Sequence, residues 1–316
     1  MSMNLLSLKG RMKNFIDATV IPAEPALLSE NASALMEDLK TQAKAQGLWA
    51  LGHPAELGGG GLPFLDFTQL NKIIGRSYFG QMAVGSISMQ DSIMLHQFGS
   101  EAQREAWLEP LVAGDIYPSV GLTEPDVAGS DPTLMQSRGE LDGNEWLING
   151  RKWFTSGANV AAFTTVFCET EPEQQRHGKF SAIIVPTNTP GYRIKRVVKT
   201  MGDTVGGHCE LELDHVRVPA GNLLGERGKG FTIAQKRLGP GRIFHCMRWL
   251  GQAQRAFELM CNYAGKRYAH GSLLSEKGEI QRYIAESAAE IQAARLMTLD
   301  AARVMDSGDD ARVQIA

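Results

Sequence analysis

Gly121-Leu122-Thr123-Glu124-Pro125-Asp126-Val127-Ala128-Gly129-Ser130-Asp131 is followed, after a strand pair, by Lys152-Trp153-Phe154-Thr155-Ser156-Gly157. The first segment reads as strand end, turn and small-residue loop. Pro125 fixes its own φ and biases Glu124 towards extended geometry. Ala128, Gly129 and Ser130 let backbone approach closely whatever lies against them. A hydroxyl beside exposed backbone N–H groups can cradle a phosphate, and the same letters also spell a plain Gly-Ser turn. The second segment ends a strand with a large flat aromatic and, two residues on, a hydroxyl. Side chains two apart share a strand face, so alternation predicts that Trp153 and Thr155 point the same way. That pair suits a planar, polar-edged heterocycle such as a flavin. On spacing alone, a core tryptophan beside a capping threonine is the favoured reading.

Outward from this stretch, residues 116–220 alternate strand-like runs with turns: Thr133–Leu141, Glu145–Thr155, Phe163–Glu169, Lys179–Pro186, Tyr192–Lys199 and Cys209–Val218. Asp142-Gly143 between two alternating runs is a hairpin signal. Short strands with no helix between them predict a small antiparallel barrel or sandwich, not a Rossmann unit. Residues 1–115 read as helices. Pro22 and Pro25 are expected to close the first, and Gly47 to stop a second over Ser33–Gln46. The run Gly58–Gly61 matches no nucleotide-binding glycine pattern and reads as a flexible connector. Ser100 is an expected N-cap and Gly114 an expected C-cap. From Gly228 the helical period returns, with stripes Leu250-Ala253-Phe257-Met260-Ala264 and Ile284 to Val304. The fold class is therefore α+β multi-domain: an N-terminal helical bundle (1–117), a central β domain (118–225) and a C-terminal helical bundle (226–316).

The 316 residues are 43% apolar and 21% charged, ordinary for a globular protein with a sizeable core. A net charge of −3 argues against general attraction to nucleic acid or anionic membrane. The four cysteines, Cys168, Cys209, Cys246 and Cys261, form no C-x-x-C pair and have no histidine cluster beside them. That pattern argues against a disulfide framework or a zinc site and makes a reducing compartment the default. No apolar run reaches membrane-spanning length. Leu5, Leu8, Met12 and Phe15 with interspersed Lys9, Arg11 and Lys13 resemble a transit peptide, but Asp17 and Glu24 follow at once, so the segment reads as the first helix of the fold.

Thr123-Glu124-Pro125 with Gly129-Ser130-Asp131, then Asn149-Gly150-Arg151-Lys152 and Trp153-x-Thr155, resembles the flavin-binding signature of the acyl-CoA dehydrogenases. Asp126-Val127 stretches the loop by one residue relative to the commonest family pattern. The stretched form is similar to a subgroup that in animals is fused to a kinase-like domain. The resemblance implies FAD as cofactor, with Val120, Leu122, Thr123, Gly129, Ser130, Trp153, Phe154 and Thr155 as contacts. It implies that Arg267 and His270, matching the family's Arg-x-x-Phe-Gly, reach the cofactor across a subunit interface. An Arg fork suits a pyrophosphate, while His270 replaces the family aromatic, and Gly278 stands where a pyrophosphate-facing glutamine is common. Arg242, in Leu238-Gly239-Pro240-Gly241-Arg242, is implied to flank the acyl pocket with Ser130, and the Gly-Pro-Gly is expected just before a long helix. His245 and Cys246 read as packing residues.

The reaction the resemblance implies is α,β-desaturation of an acyl-CoA thioester. Electrons would pass to an electron-transfer flavoprotein or similar acceptor, in a homodimer or homotetramer. The compartment would be the cytoplasm, or the mitochondrial matrix or peroxisome in a eukaryote. No Glu or Asp of this chain matches the family's catalytic base, and Gly241 stands at the alternative base position. The base is therefore expected beyond Ala316, and no catalytic residue and no metal ligand is named. Two alternatives stay open. One is a different flavin enzyme of the same fold, of acyl-CoA oxidase or nitroalkane oxidase type. The other is an inactive fragment that needs a partner chain, since Asp310–Ala316 reads as a helix just starting and the two C-terminal stripes would then leave a long apolar strip uncovered.

Overall fold

The structure is a computed structural model and describes residues 5–29, 32–201 and 207–316. In chain order the helices are α1 (Leu5–Phe15), α2 (Ile21–Leu27), α3 (Ala32–Ala45), α4 (Phe64–Ile74), α5 (Gly80–Ala83), α6 (Met89–Phe98), α7 (Glu101–Gln103), α8 (Glu109–Ala113), α9 (Gly230–Ala264), α10 (Gly278–Asp306) and α11 (Arg312–Ile315). The strands are β1 (Pro118–Gly121), β2 (Arg138–Asp142), β3 (Glu145–Ser156), β4 (Phe163–Glu169), β5 (Phe180–Pro186), β6 (Tyr192–Val197), β7 (His208–Pro219) and β8 (Leu223–Leu224), followed by the short pair β9 (Tyr268–Ala269) and β10 (Ser272–Leu273). Two compact units divide the chain. One holds the residues up to Ile87 together with Gly239–Ala316, and the other holds Ser88–Leu238.

In the first, helical unit, α4 and α9 approach closely. A Cβ on Gly75 would lie 2.4 Å from the Arg248 carbonyl oxygen, and one on Gly251 would lie 2.1 Å from that of Lys72, so only glycine fits at this crossing. Phe64 and Phe67 pack on Phe244 at 5.2 and 5.5 Å between ring centres, and the Asn71 amide donates to the Phe244 carbonyl at 2.9 Å. Arg76 bridges Asp17 and Glu258, while Arg255 meets Glu24, so charged pairs tie α9 to the N-terminal helices. Large apolar side chains stand exposed on α9 (Leu259, Tyr263) and on α10 (Leu296, Met297).

Three local expectations change in this unit. Pro22 and Pro25 do not close the first helix: the helical path runs on from Leu5 to Leu27 through a π turn at Ile16–Val20. Pro22 lies in the first turn of α2, a position that tolerates a missing N–H. The glycine run is not a flexible connector but a tied loop. The N–H groups of Gly59, Gly60 and Gly61 donate to the carbonyls of Pro54, Ala50 and His53, and a Cβ on Gly59 would lie 2.4 Å from the His53 oxygen. Gly239-Pro240-Gly241 does not precede the long helix but lies inside it, since α9 begins at Gly230 and carries Pro240 in its interior. The proline removes one ladder hydrogen bond, and the helix continues on the packing of Ile243, Phe244 and Met247, all buried.

The second unit carries the β domain. Its sheet runs β6-β7-β3-β2-β4-β5-β8, with β1 beside β4. Neighbours are antiparallel except for β1 and β2 against β4. Alternating residues of four strands bury one core, among them Trp146, Ile148, Val166, Ile183, Leu213 and Val218. Asp142 pairs with Glu145 across a two-residue turn in which Gly143 has φ +63°, as the Asp-Gly signal requires. Strand β2 begins at Arg138 rather than Thr133, because Asp131 caps a short turn at Pro132–Leu134 by accepting from the Thr133 N–H. Ser100 and Gln103 form a reciprocal capping box at α7, and Gly114 closes α8 at φ +85°.

Candidate functional site

Strand β1 hands the chain at Gly121 into the loop 122–131, with Val120 opposite Thr165 of β4. The Trp153 N–H donates to the Thr123 carbonyl at 3.0 Å and ties this loop to β3. Beneath it lies a buried ion pair. Lys152 Nζ donates to Glu124 Oε1 at 2.7 Å and to the Leu122 carbonyl at 3.2 Å. The same carboxylate accepts the N–H groups of Gln136 at 2.6 Å and Ser137 at 3.0 Å. Lys152 is fully buried and Glu124 is 4% exposed. Burial alone would raise the Glu124 carboxyl, but Lys152 and the N–H donors hold it below the usual carboxylate range. The two sequence motifs are thus one construction: the lysine of the second neutralises the glutamate of the first, and that glutamate fixes the start of the chain leading into β2.

The strand end departs from simple alternation. Lys152 is opposite Leu211 of β7 and Thr155 is opposite Cys209, so Trp153 and Phe154 together face the single residue Glu210. This is a β-bulge, and Phe154 takes φ +49° within it. Lys152 and Thr155 are therefore in phase, and the expectation that alternation aligns Trp153 with Thr155 does not hold. The bulge leaves two buried polar atoms without a partner, Thr155 Oγ1 and Trp153 Nε1. They are two of ten such atoms among the described residues, and these two lie within three residues of each other at the strand end. Phe154 is exposed, edge-on to Trp153 at 4.9 Å between ring centres, and Ser156 Oγ meets His208 Nδ1 at 2.9 Å.

At the loop tip the Asp131 N–H donates to the Ala128 carbonyl at 3.0 Å, closing a turn that presents Gly129 and Ser130 to solvent. A Cβ on Gly129 would come within 2.8 Å of Thr123 Cγ2, so the turn closes on Thr123 only with glycine there. The stretched part of the loop has a partner too. Asp126 Oδ2 accepts from Arg151 at 3.0 Å, and Arg151 also reaches Glu210 at 2.7 Å.

The remaining expected residues lie in the helical unit. Arg242 is exposed on α9. Arg267 and His270 sit on the hairpin β9–β10, whose two turn residues, His270 and Gly271, have φ +52° and +82°. Both expected contacts are exposed, and Lys277 Nζ holds the turn through the His270 carbonyl at 3.1 Å. Gly278 opens α10. His245 Nδ1 contacts Arg248, and Cys246 is exposed. Among the described residues no cluster of His, Cys, Asp or Glu is placed to hold a metal ion, and no helix is long and apolar enough to cross a membrane.

The family models for the acyl-CoA dehydrogenase N-terminal, middle and C-terminal domains match residues 5–115, 119–216 and 228–316 in turn. The chain belongs to the acyl-CoA dehydrogenase family. Among its relatives is "Probable acyl-CoA dehydrogenase FadE2" of Mycobacterium tuberculosis, 41% identical over 97% of this chain and 78% of that protein. "Acyl-CoA dehydrogenase family member 11" of Rattus norvegicus is 39% identical over 94% of this chain, which spans only 40% of that protein's length. The fold superposes on the "Structure of a putative acyl-CoA dehydrogenase from Mycobacterium abscessus" with a TM-score of 0.92 at 36% identity, covering 99% of this chain and 83% of that one.

Glu124 and Lys152 were visible in the family's motifs without a role. The signal was a lysine within the alternating apolar pattern of β3, where burial requires a counter-charge. Arg151 and Asp126 gave no such signal, because both are surface residues whose pairing depends on the loop's path.

Proposed function

We propose that the chain binds FAD and takes part in α,β-desaturation of an acyl-CoA thioester. The observation that carries this reading is the pair of buried, unpartnered atoms, Thr155 Oγ1 and Trp153 Nε1, at the bulged end of β3 beside loop 122–131. A polar ring edge is the kind of group that would satisfy the Thr155 hydroxyl. When bound, FAD supplies the hydride-accepting centre. The chain's own part is to bind and orient. Thr123 and Thr155 would hydrogen-bond the ring edge, with Val120, Leu122, Trp153 and Phe154 packing about it. Gly129 and Ser130 would serve the pyrophosphate or the thioester pocket, with Arg242 on the substrate side. Arg267 and His270 would reach the cofactor of a second subunit in a homodimer or homotetramer. The carboxylate that removes the α-proton is proposed to lie outside residues 1–316, and an electron-transfer flavoprotein or similar protein would accept the electrons.

Thr155→Val tests the reading directly. The substitution keeps the shape and deletes only the hydroxyl. Because Oγ1 has no protein partner, the apoprotein should be as stable as wild type or more so. FAD affinity, followed by quenching of flavin fluorescence, should fall about two- to tenfold, the loss of one hydrogen bond. Unchanged affinity, or wild-type protein that stays colourless after incubation with FAD, would overturn the assignment. Turnover is checked with acyl-CoAs of several lengths and an artificial electron acceptor, on this chain and on one extended beyond Ala316.

A further inference from the structure

The stretched loop carries a charge that the rest of the sheet is built to receive. Asp126 stands exposed in the segment that lengthens the loop, and Arg151 donates to it at 3.0 Å. The other arm of the Arg151 guanidinium donates to Glu210 Oε1 at 2.7 Å, and Arg196 donates to Glu210 Oε2 at 2.7 Å. The chain of pairs runs from the loop across β3 and β7 to the edge strand β6. Glu210, at its centre, is only 7% exposed, and both of its oxygens are engaged, so it is the fixed post of the series. Arg196, then Arg151, hold its carboxyl below the usual range. Glu210 is also the residue that faces the bulge at Trp153 and Phe154. One side chain therefore links the two pieces of the candidate site, the bulge directly and the loop through Arg151.

We infer that Asp126 is a latch: through Arg151 and Glu210 it holds the stretched loop 122–131 against the strand face, and so sets where Thr123, Gly129 and Ser130 stand for the cofactor. The positioning half of this inference rests on the flavin reading above, whereas the latch itself does not. The buried Lys152–Glu124 pair fixes the base of the loop, at Leu122 and Glu124. Beyond Glu124 the loop passes through Pro125, Asp126 and Val127 before the hydrogen bond between Asp131 and Ala128 closes its tip, and Asp126 is the charged side chain among the three. An added residue would loosen such a loop, and the ion pair offsets that loss of order. Both partners are about half exposed, so the latch is sensitive to salt, unlike the buried pair.

The test uses the whole chain and reads the loop in two ways. Amide hydrogen exchange of residues 126–131 is measured without cofactor, and FAD affinity is measured at low salt and in 1 M NaCl, where the screening length falls to about 3 Å. Asp126→Asn and Arg151→Gln should each speed loop exchange several-fold and weaken FAD binding about two- to fivefold at low salt. Wild type in 1 M NaCl should match the variants. Asp126→Glu, which keeps the charge and leaves the Arg151–Glu210 pair intact, should keep exchange slow, which a general loss of folding would not allow. Arg217→Gln breaks a different exposed pair, with Asp142 and Glu145, and should leave both readouts unchanged. Loop exchange unaffected by Asp126→Asn, or equally affected by Arg217→Gln, overturns the latch. Faster exchange with unaltered FAD affinity overturns its positioning role. Wild type that binds no FAD at all overturns the flavin reading and with it the positioning role, and leaves the latch judged by exchange alone.

Discussion

Replacing Lys152 with methionine isolates the interaction that makes one site of two motifs. The substitution keeps most of the side-chain volume and removes the ammonium. It leaves the Glu124 carboxylate buried, with the Gln136 and Ser137 N–H groups as its remaining donors. Removing one partner of a buried pair costs about 3–5 kcal/mol, because the other charge stays without compensation. For a domain of this size that corresponds to a fall of order 10 °C in melting temperature. The partner deletion repairs the fault: in Lys152→Met with Glu124→Gln the buried charge is gone, so the double variant should be more stable than Lys152→Met alone. The pH dependence has a definite sign. Glu124 is depressed in the wild type, so its contribution is present above the ordinary carboxyl value of 4.5 and is lost as pH falls through the lower folded value. In Lys152→Met the buried carboxyl can escape its penalty by taking a proton, so the deficit should shrink between pH 7 and pH 5. Urea denaturation of wild type, Lys152→Met, Glu124→Gln and the double variant at both pH values measures all of this. A cost below about 1 kcal/mol for Lys152→Met, or additive single variants, would refute the coupling of the two motifs through this pair.

His53 is fully buried, with Nε2 on the Gly85 carbonyl at 3.0 Å, and burial pushes its ring down from 6.5 to about 4. The unfolded chain takes up a proton near pH 6.5 and the folded one only near 4, so its contribution is complete above 6.5 and is lost as pH falls towards 4. The loss is about 3 kcal/mol, and His53→Gln should flatten that part of the unfolding free energy plotted against pH. Gly129→Ala would push a Cβ to within 2.8 Å of Thr123 Cγ2, so FAD affinity should fall while the melting temperature moves little; equal affinity would count against loop 122–131 as a cofactor contact. Arg267→Ala should weaken FAD retention only where subunits assemble, checked by FAD titration alongside sedimentation. A variant that assembles and binds as wild type does would refute its inter-subunit role.

What the sequence disclosed is what depends on neighbours along the chain. Strand β4 was read at its observed limits, the Asp142-Gly143 turn fell where expected, and the Ser100 and Gly114 caps are in place, because each follows from local φ preference and alternation. Pro240 within α9 and the ordered glycine run at 58–61 depart from what local sequence predicts for a common reason. Both are settled by distant packing, the first by the buried face around Phe244 and the second by carbonyls of Ala50, His53 and Pro54. The candidate site divides along the same line. Its letters, Thr-Glu-Pro, Gly-Ser-Asp and Lys-Trp-x-Thr, could be read directly. Its geometry could not, because the bulge at Phe154 exists only in the register of β3 against β7, a pairing some sixty residues apart in sequence. Alternation by itself would have put Trp153 and Thr155 on one face and sent Lys152 to the other. The bulge instead keeps Lys152 and Thr155 in phase, so that the lysine can reach Glu124 under the loop while the threonine hydroxyl stays buried and unclaimed. The positive φ of a phenylalanine, costly in isolation, is therefore tied to the two features that distinguish this strand end from an ordinary one.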